Sequence, residues 1–374
     1  MITIEDYAAS FGEEPGYLDF ARVGPPGRGV KDEDYAQLGL LGRARFGTID
    51  PLVEQDERVR DAVAVLTGFP ADHIVFQPNT SQGLLHAMFG LRGTIALSGA
   101  EFPSSTFAAV RASEALGVLT PYWIETDHGR VTPGNLLEQL TPEVTAVAVS
   151  LVDFRTGYLA DLEGIRQVIG DRLLIVDAIQ GFGIVDAPYE FADVVVSGGQ
   201  KWVRAGGSTG FLALSDQALE AITPLFSGFN ATDVPEMPLD EVVPPTRGAR
   251  AFQFSNPDPI AQARFAVALE EIAEVGVPQI NESISERVTR IIDLADEYAV
   301  PVVSPRDEPE RAGIVVVEPP ADQLTVLTAS LFNHGVTTTT REGRVRLSPH
   351  VSTDEETFDM LRASFLSYAS AIKV

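Results

Sequence analysis

One lysine, Lys201, has surroundings in which its amine could react. The sequence has only three lysines among its 27 basic residues, and the other two, Lys31 and Lys373, have polar or terminal neighbours. Lys201 lies instead in the apolar, glycine-rich stretch VVVSGGQKWVRAGG. Removing an ammonium group from water lowers its pKa towards neutrality, and an uncharged amine attacks a carbonyl carbon to form a Schiff base. These surroundings predict a catalytic amine rather than a surface cation.

A second reactive group is the carboxyl of Asp177, which ends the apolar run LLIVD. Carboxylates are rarely buried without a cation. A helix cap, a turn or a metal site would each account for Asp177, although none of the five histidines shows the spacing of metal ligands. A protonated pyridine nitrogen would also supply the positive charge, and such a ring acts as an electron sink. Asp177 and Lys201 together favour this last interpretation.

A phosphate site is indicated by the run Asn79-Thr80-Ser81-Gln82, which follows the strand-like HIVFQ and opens a helix. The spacing of Asn79 and Gln82 on its own predicts a capping box. Hydroxyls at both Thr80 and Ser81 add donors at the positive end of the helix, where phosphates bind. The sequence contains no Walker pattern and no G-x-G-x-x-G after the first strand, which disfavours nucleotide binding.

Two further side chains each allow a functional and a structural interpretation. Phe102 follows the strand TIAL and is either a core residue or an aromatic plate stacked on a flat ring. Arg344 and Arg346 alternate with apolar residues in GRVRL and therefore share one face of a strand. Arg346 is either on an exposed face or directed at a cleft, where its guanidinium would bind a substrate carboxylate.

The elements that position these residues alternate between strand and helix patterns. Strand-like runs occur at 73–77, 94–97, 119–124, 144–152, 173–176, 193–196 and 210–214, with helix-period runs between them. Continuous Val/Ile/Leu runs indicate strands that are covered on both faces, so we predict an α/β fold with a mostly parallel sheet flanked by helices. Ligands of such sheets bind beyond the carboxyl ends of the strands.

A change of pattern at 224–250, rich in proline and acidic residues, suggests a surface excursion before a second domain. After it come long helix patterns and short strands, typical of a smaller α+β unit. We therefore expect a large domain at 16–250 and a small C-terminal domain at 251–374, with the N-terminal segment 1–15 packing on the small one.

Composition narrows the classes of partner and compartment. The 27 basic and 53 acidic residues give a net charge of −26, which disfavours binding to nucleic acids and to anionic membrane surfaces. The chain has no cysteine, so disulfides, thiolate metal sites and a persulfide carrier are excluded. It shows neither a signal-peptide pattern nor an apolar run of about 20 residues. We expect a cytoplasmic protein with neither a membrane nor a metal partner.

Together these residues resemble the class V aminotransferase family of pyridoxal-phosphate enzymes, including its kynureninase, C–S lyase and isopenicillin-N-epimerase-like branch. The resemblance runs from YLDFARVGP (17–25) to VRLSPHVSTDEETFDML (345–361). Its most specific parts are VDAIQGFG (176–183), SGGQKW (197–202) and RLSPHVST (346–353). It implies the pyridoxal-phosphate-dependent transferase fold, with a seven-stranded sheet, and pyridoxal 5′-phosphate as cofactor.

The resemblance also implies a role for each candidate residue. Lys201 would hold the cofactor covalently and move the substrate proton, Asp177 would pair with the pyridine nitrogen, and Gln180 would pair with the phenolic oxygen. The phosphate would be bound by Thr80, Ser81 and Gln200, the ring covered by Phe102, and the substrate carboxylate held by Arg346. Relatives are homodimers with shared active sites, and here Ser255 or Asn256 would reach the other subunit's phosphate.

Departures from the family pattern bear on the reaction. Desulfurases carry a histidine where this chain has Phe102, within EFPSS, which looks more like the kynureninase-like branch. Asp153 and Arg155 occupy a segment that faces the cofactor in relatives, and they either recognise a substrate side chain or pair with each other. We expect an enzyme that acts on a small-molecule amino acid, and transamination is the preferred reaction. The alternative is a cysteine-independent C–S β-lyase or a kynureninase-like reaction.

Overall fold

A seven-stranded sheet forms the centre of the computed structural model, which describes residues 2–47, 50–234 and 239–372, so that Lys373 lies outside the described residues. In spatial order the strands run β1-β7-β6-β5-β4-β2-β3. Their bounds are β1 Ile74–Phe76, β2 Gly93–Ser98, β3 Leu119–Ile124, β4 Val144–Ser150, β5 Leu173–Asp177, β6 Val194–Gly198 and β7 Gly210–Leu214.

Most pairs in this sheet are parallel, as the sequence predicted, and the fold prediction is confirmed. Strands β3, β2, β4, β5 and β6 pair in parallel, whereas β7 is antiparallel to both β6 and β1. All residues of β5, β6 and β7 are buried. This burial explains their unbroken apolar sequences, because helices cover both faces of the sheet.

Thirteen α-helices surround the two sheets within the described ranges. They are α1 Ile4–Ala9, α2 Arg28–Arg43, α3 Asp50–Val53, α4 Gln55–Thr67, α5 Thr80–Gly90, α6 Pro103–Leu116, α7 Pro133–Gln139, α8 Leu162–Ile169, α9 Asp216–Ala221, α10 Pro259–Val275, α11 Val277–Glu297, α12 Leu324–Asn333 and α13 Glu355–Ala371. None of the helices in the described part of the chain combines the length and apolarity that a bilayer crossing requires.

A smaller antiparallel sheet follows later in the chain. It has the spatial order β8-β10-β9, with β8 at Val315–Val317, β9 at Thr339–Arg341 and β10 at Arg344–Leu347. The segment 224–250 forms turns and bends in its described part, and residues 235–238 lie outside the described residues. The division into domains at 250 stays a prediction.

The N-terminal segment runs between the two sheets. Tyr17 and Asp19 form isolated parallel bridges with Thr337 and Ser348. The backbone N–H of Gly24 then donates to the carbonyl oxygen of Gln200 at 2.9 Å. The beginning of the chain therefore contacts both the loop after β6 and the second sheet.

Buried ionic contacts attach the described residues before position 16 at the same place. The fully buried guanidinium of Arg204 pairs with Glu13 and lies over the ring of Phe11 at 3.5 Å from its centroid. Arg204 also donates to Ser352 at 2.8 Å and lies 3.1 Å from Nδ1 of His350. This cluster joins the start, the middle and the last part of the chain.

Candidate active site

Lys201 follows β6 by three positions, beyond the carboxyl end of the strand. Its pKa is lowered to about 8, mainly because the amine is removed from water, and the positive charges of Arg346 and Arg341 lower it further. The negative charge of Asp177 opposes this shift. An amine with this pKa is partly uncharged near neutral pH, which is the state that attacks a carbonyl.

Asp177 ends the neighbouring parallel strand and lies opposite Val196 of β6. Its Oδ1 accepts the backbone N–H of Ile179 at 3.1 Å, but its buried Oδ2 has no hydrogen-bond partner among the described residues. Burial raises the pKa of this carboxyl to about 6, against the opposing effects of the Ile179 hydrogen bond and the Lys201 charge. A buried carboxylate oxygen without a donor fits a positively charged N–H group from a ligand.

A cradle for an anion lies at the start of α5. The Asn79 side chain caps the helix by accepting the backbone N–H of Gln82 at 3.0 Å. The hydroxyl of Thr80, at the first helical position, is buried and has no partner within the described part of the chain. A Cβ placed on Gly198 would lie 2.5 Å from the Gln200 Oε1 and 3.0 Å from the Thr80 Oγ1. The glycine thus allows both side chains to approach the same space.

The other predicted phosphate ligand, Ser81, is exposed on α5. Its hydroxyl lies 2.7 Å from that of Ser104, in the first turn of α6. Both hydroxyls therefore sit at helix N-termini, where the backbone N–H groups favour an anion.

Phe102 lies beside the lysine rather than in the core. The Lys201 Nζ is 5.4 Å from the centroid of the Phe102 ring. The ring makes an edge-to-face contact with Phe154, with centroids 5.1 Å apart. Of the two interpretations offered by the sequence, this placement favours a plate next to the reactive amine.

Gln180 forms two hydrogen bonds with the protein itself. Its amide nitrogen donates to the carbonyl oxygen of Ala21 at 2.9 Å, and its Oε1 accepts the indole N–H of Trp202 at 2.9 Å. One hydrogen of the amide nitrogen remains for a ligand oxygen. The predicted contact with the phenolic oxygen depends on that hydrogen and stays a prediction.

The remaining phosphate candidates, Ser255 and Asn256, lie in the loop before α10. The Ser255 hydroxyl accepts the backbone N–H of Phe229 at 3.2 Å, and Asn256 is exposed with a φ of 53°. Nothing places them next to Thr80 or Gln200 within the same chain. Their proposed contact with another subunit's phosphate stays a prediction.

Arg346 is buried on β10 and directed at the same site. Its guanidinium lies 3.5 Å from the Asp19 carboxylate, which also accepts the Thr339 hydroxyl at 2.7 Å. The Nε of Arg346 has no hydrogen-bond partner among the residues described. Burial lowers the pKa of this guanidinium, and the Asp19 charge opposes the shift.

A cavity of about 290 Å³ lies next to these groups, and Phe102 and Arg346 form part of its lining. Its apolar wall includes Phe102, Phe154 and Val316. Four arginines also line it, namely Arg155, Arg341, Arg344 and Arg346. The Asp153 carboxylate instead stabilises the turn that contains Arg155, because it accepts the Arg155 backbone N–H at 3.1 Å and the Thr156 hydroxyl at 2.5 Å. Of the pair Asp153 and Arg155, only Arg155 lines the cavity.

Sequence reasoning missed a buried acid, Glu101. Its Oε2 accepts the backbone N–H of Ser150 at 3.1 Å and the hydroxyl of the same residue at 2.5 Å. Burial raises the pKa of Glu101 to about 7, and the negative charges of Asp177 and Asp153 contribute to the shift. The position of Glu101, between the end of β2 and Phe102, is the feature of the sequence that could have indicated this buried acid.

The polar groups that lack partners in this structure fit pyridoxal phosphate. The donorless Oδ2 of Asp177 suits a protonated ring nitrogen, and the Thr80 hydroxyl with the α5 amides suits a phosphate. A metal site has no such support, since no cluster of three or more potential ligands occurs in the described ranges.

The family model described as aminotransferase class-V matches residues 48–374. This chain belongs to the class-V aminotransferase family. The family depends on pyridoxal phosphate, so the predicted cofactor and the predicted enzyme class are confirmed at this level.

The curated relatives include a kynureninase and a probable sulfoxide lyase. The chain is 26% identical to a kynureninase of Deinococcus radiodurans over 282 residues, covering 71% of this chain and 67% of that protein. It is 25% identical to a probable hercynylcysteine sulfoxide lyase of Mycobacterium tuberculosis, covering 83% of this chain and 79% of that protein.

Solved structures share the fold at lower identity. A cysteine desulfurase from Thermococcus onnurineus NA1 superposes with a TM-score of 0.81, at 21% identity and with 93% of each chain covered. A complex of the cystine C–S lyase C-DES with its product cysteine persulfide gives 0.85, at 18% identity, covering 94% of this chain and 97% of that one.

Proposed function

We propose that this protein is a pyridoxal-phosphate-dependent β-lyase, which breaks a bond at the Cβ of an amino acid. The observation that carries the proposal is the pair formed by Lys201, with a pKa of about 8, and Asp177, whose buried Oδ2 has no donor among the described residues. The kynureninase and sulfoxide-lyase names of the curated relatives favour bond cleavage at the side chain over amino transfer.

Each residue has a defined task in this proposal. Asp177 keeps the ring nitrogen protonated, and the ring when bound withdraws the electron pair left on the substrate Cα. Arg346 orients the substrate by its α-carboxylate. Lys201 accepts the Cα proton as a base, which it can do because burial keeps its pKa near neutral.

The overall reaction balances without a redox partner. The Cα–H bond breaks and its proton passes to the Lys201 amine, and the Cβ–X bond then breaks, with X keeping the electron pair and receiving a proton. The remaining three-carbon fragment, which contains Cα and Cβ, is released as an enamine. It reacts with one water to give pyruvate and ammonium. Because the chain has no cysteine, a released sulfur group leaves as a small molecule rather than as a protein persulfide.

Product analysis with the purified, cofactor-loaded protein tests the proposal. S-substituted cysteines and their sulfoxides should yield equal amounts of pyruvate and ammonium, while Lys201→Ala yields neither. Conversion of the cofactor to its amino form with one equivalent of keto acid, and no ammonium, would contradict lyase activity.

Transamination is the second candidate, and the description of the matching family model favours it. The Lys201 amine would then return the Cα proton at a different atom, and the Cβ–X bond would stay intact. Stoichiometric exchange of amino groups with an added keto acid would support this alternative.

We further propose a homodimer with shared active sites, in which Ser255 or Asn256 reaches the partner's phosphate. Large apolar side chains spaced three apart on α2 are exposed, with Tyr35 81%, Leu38 50% and Leu41 43% accessible. Such a stripe is typical of a helix that another surface covers. Sedimentation should give twice the 40.2 kDa chain mass, and Leu38→Glu should lower it. A cytoplasmic location stays a prediction that cell fractionation can test.

A further inference from the structure

Positive charge is concentrated in the site cavity of a strongly acidic protein. The chain carries a net charge of −26, yet the four cavity arginines Arg155, Arg341, Arg344 and Arg346 are accompanied by a single acidic lining residue, Glu342. One guanidinium is enough to bind an α-carboxylate. The other three therefore need a separate explanation.

The register of the β9–β10 hairpin brings three of these arginines to one face. Arg341 lies directly opposite Arg344, and Arg346 lies opposite Thr339 two positions further along. Residues two apart on a strand face the same way, so the side chains of Arg341, Arg344 and Arg346 project from one side of the hairpin, together with that of Thr339. Like charges placed opposite each other destabilise a sheet, and a bound anion removes that repulsion.

Two of the four guanidinium groups already have a carboxylate. Arg346 lies 3.5 Å from Asp19, and the Nε of Arg344 lies 3.2 Å from Glu318. Arg341 and Arg155 form no ion pair with any residue that the structure describes. Their positive charge is available to a ligand in the cavity.

Both of these arginines are close to Lys201: a series of ring contacts connects Arg155 to it, and the positive charge of Arg341 acts on its amine. The Arg155 guanidinium lies over the Phe154 ring at 5.3 Å from its centroid, and Phe154 contacts Phe102 edge-on. Phe102 in turn lies beside Lys201. Along this series of contacts, Arg155 lies two rings away from the amine that takes the Cα proton, so it faces the substrate's side chain.

From this arrangement we infer that the substrate is an amino acid with a second anionic group at the end of its side chain. The inference rests on the proposed function, since it assumes an amino acid bound next to Lys201. Arg346 binds the α-carboxylate, and Arg341 and Arg155 bind the side-chain anion, which is a carboxylate, a sulfur oxyanion or a phosphate. Each of these accepts the paired N–H groups of guanidinium.

Matched pairs of amino acids test the inference on the cofactor-loaded protein. Binding is followed as the change in the cofactor's visible absorbance, with L-aspartate, L-glutamate and O-phospho-L-serine compared with L-asparagine, L-glutamine and L-serine. At least one anionic member should half-saturate at a concentration roughly tenfold or more below its neutral partner, the preference expected from one added charge-assisted contact. Which member does so distinguishes carboxylate from phosphate.

Arginine variants assign the preference to the cavity. Arg341→Gln and Arg155→Gln should each reduce the anionic-to-neutral ratio, and the double variant should bring it close to one. Arg111→Gln is the matched control, because Arg111 is exposed on α6 and pairs only with Glu114 at 3.3 Å. Thermal melting of each variant verifies that it is folded.

The outcomes separate the inference from the proposed function. Equal half-saturation by anionic and neutral members, or a preference that survives in the double variant, overturns the inference and leaves the lyase proposal standing. Absorbance that responds to none of these amino acids, nor to the S-substituted cysteines, overturns the proposed function and the inference together.

Discussion

Three buried titratable residues determine the chemistry of the site at the scale of single side chains. Asp177 and Glu101 have pKa values raised to about 6 and about 7, and Lys201 has one lowered to about 8. All three shifts have burial as their largest cause, so each charged form is held at a cost in free energy. A cofactor with a charged ring and a reactive carbonyl group relieves the cost for Asp177 and Lys201.

Replacing Asp177 with asparagine should stabilise the cofactor-free protein at neutral pH and weaken its hold on the cofactor. The carboxyl's pKa rises from 3.8 to about 6 on folding, so the unfolded chain ionises first and stability falls between these pH values. Above pH 6 the free energy of unfolding has lost its full share from this group, roughly 2 to 3 kcal/mol. Asp177→Asn removes it, and should raise the melting temperature at pH 7.5 more than at pH 4.5.

The matched control for this prediction is Asp61→Asn, exposed on α4. It should change neither the pH dependence of melting nor the affinity for pyridoxal phosphate. If Asp177→Asn binds the cofactor as tightly as the unaltered protein, Asp177 does not pair with the ring nitrogen.

The reactivity of Lys201 should level off near pH 8. Because an amine attacks only in its uncharged form, the acetylation rate of Lys201 in the cofactor-free protein should rise roughly tenfold from pH 7 to 9, rather than the hundredfold of an ordinary lysine with a pKa of 10.5. Competitive acetylation read by mass spectrometry measures this rate, with the exposed Lys31 as internal reference. A Lys201 rate that keeps rising tenfold per unit to pH 10 would contradict the lowered pKa.

Backbone packing between elements holds the reactive loop in place. A Cβ on Gly24 would lie only 1.9 Å from the Lys201 carbonyl oxygen, while the Gly24 N–H donates to the Gln200 carbonyl at 2.9 Å. The segment after the N-terminal bridges thus lies directly against the loop that follows β6. No side chain fits between them.

Gly24→Ala should therefore displace the loop and lower cofactor occupancy, with a loss of about 2 kcal/mol or more in stability. Gly12→Ala is the control, since a Cβ there meets nothing within 4 Å. Bound cofactor per chain and chemical denaturation measure the two effects. Identical behaviour of the two variants would show that the loop tolerates displacement.

Elements with unbroken apolar runs could be predicted from the sequence, and others could not. The bounds of β3 and β7 match the predicted ones. Every residue of β7 is buried, which imposes its apolar sequence, whereas β3 is only partly buried. Helix α2 was missed, since only Val30 and Gln37 of its sixteen residues are buried and its large apolar side chains Tyr35, Leu38 and Leu41 are exposed. Strand β9, with the sequence TTR, has no apolar residue to reveal it.

At the scale of the whole molecule, a buried ion pair attaches the start of the chain to the loop that carries Lys201. Arg204 is completely buried and pairs with Glu13, whose side chain is 11% exposed. Removing one partner of a buried pair leaves an uncompensated charge and costs about 3 kcal/mol or more.

Glu13→Gln should lower the melting temperature and make residues 1–15 susceptible to proteolysis. The adjacent Glu14→Gln should leave both unchanged, because Glu14 is exposed. Cleavage sites mapped by mass spectrometry after brief protease treatment provide the measurement. Equal resistance of the two variants would mean that Glu13 does not hold the segment.

At this scale the site could be predicted only in part. Lys201, Asp177 and Thr80 could be predicted from their local sequence, because each is a polar residue at or shortly after the end of an apolar strand. Glu101 could not be predicted because its partner, Ser150, lies far along the chain. Arg341 could not because its strand, β9, has no apolar residue that would place it in the hairpin.

The parallel bridges of Tyr17 with Thr337 and of Asp19 with Ser348 have a consequence for biosynthesis. Asp19 contacts Arg346, so the pocket is assembled from stretches of the chain that are synthesised far apart in time. Domains form progressively during translation, N-terminal parts first. A nascent polypeptide can thus build its central sheet early, but it acquires a complete vitamin B6 pocket only after residue 348 has been synthesised and has docked.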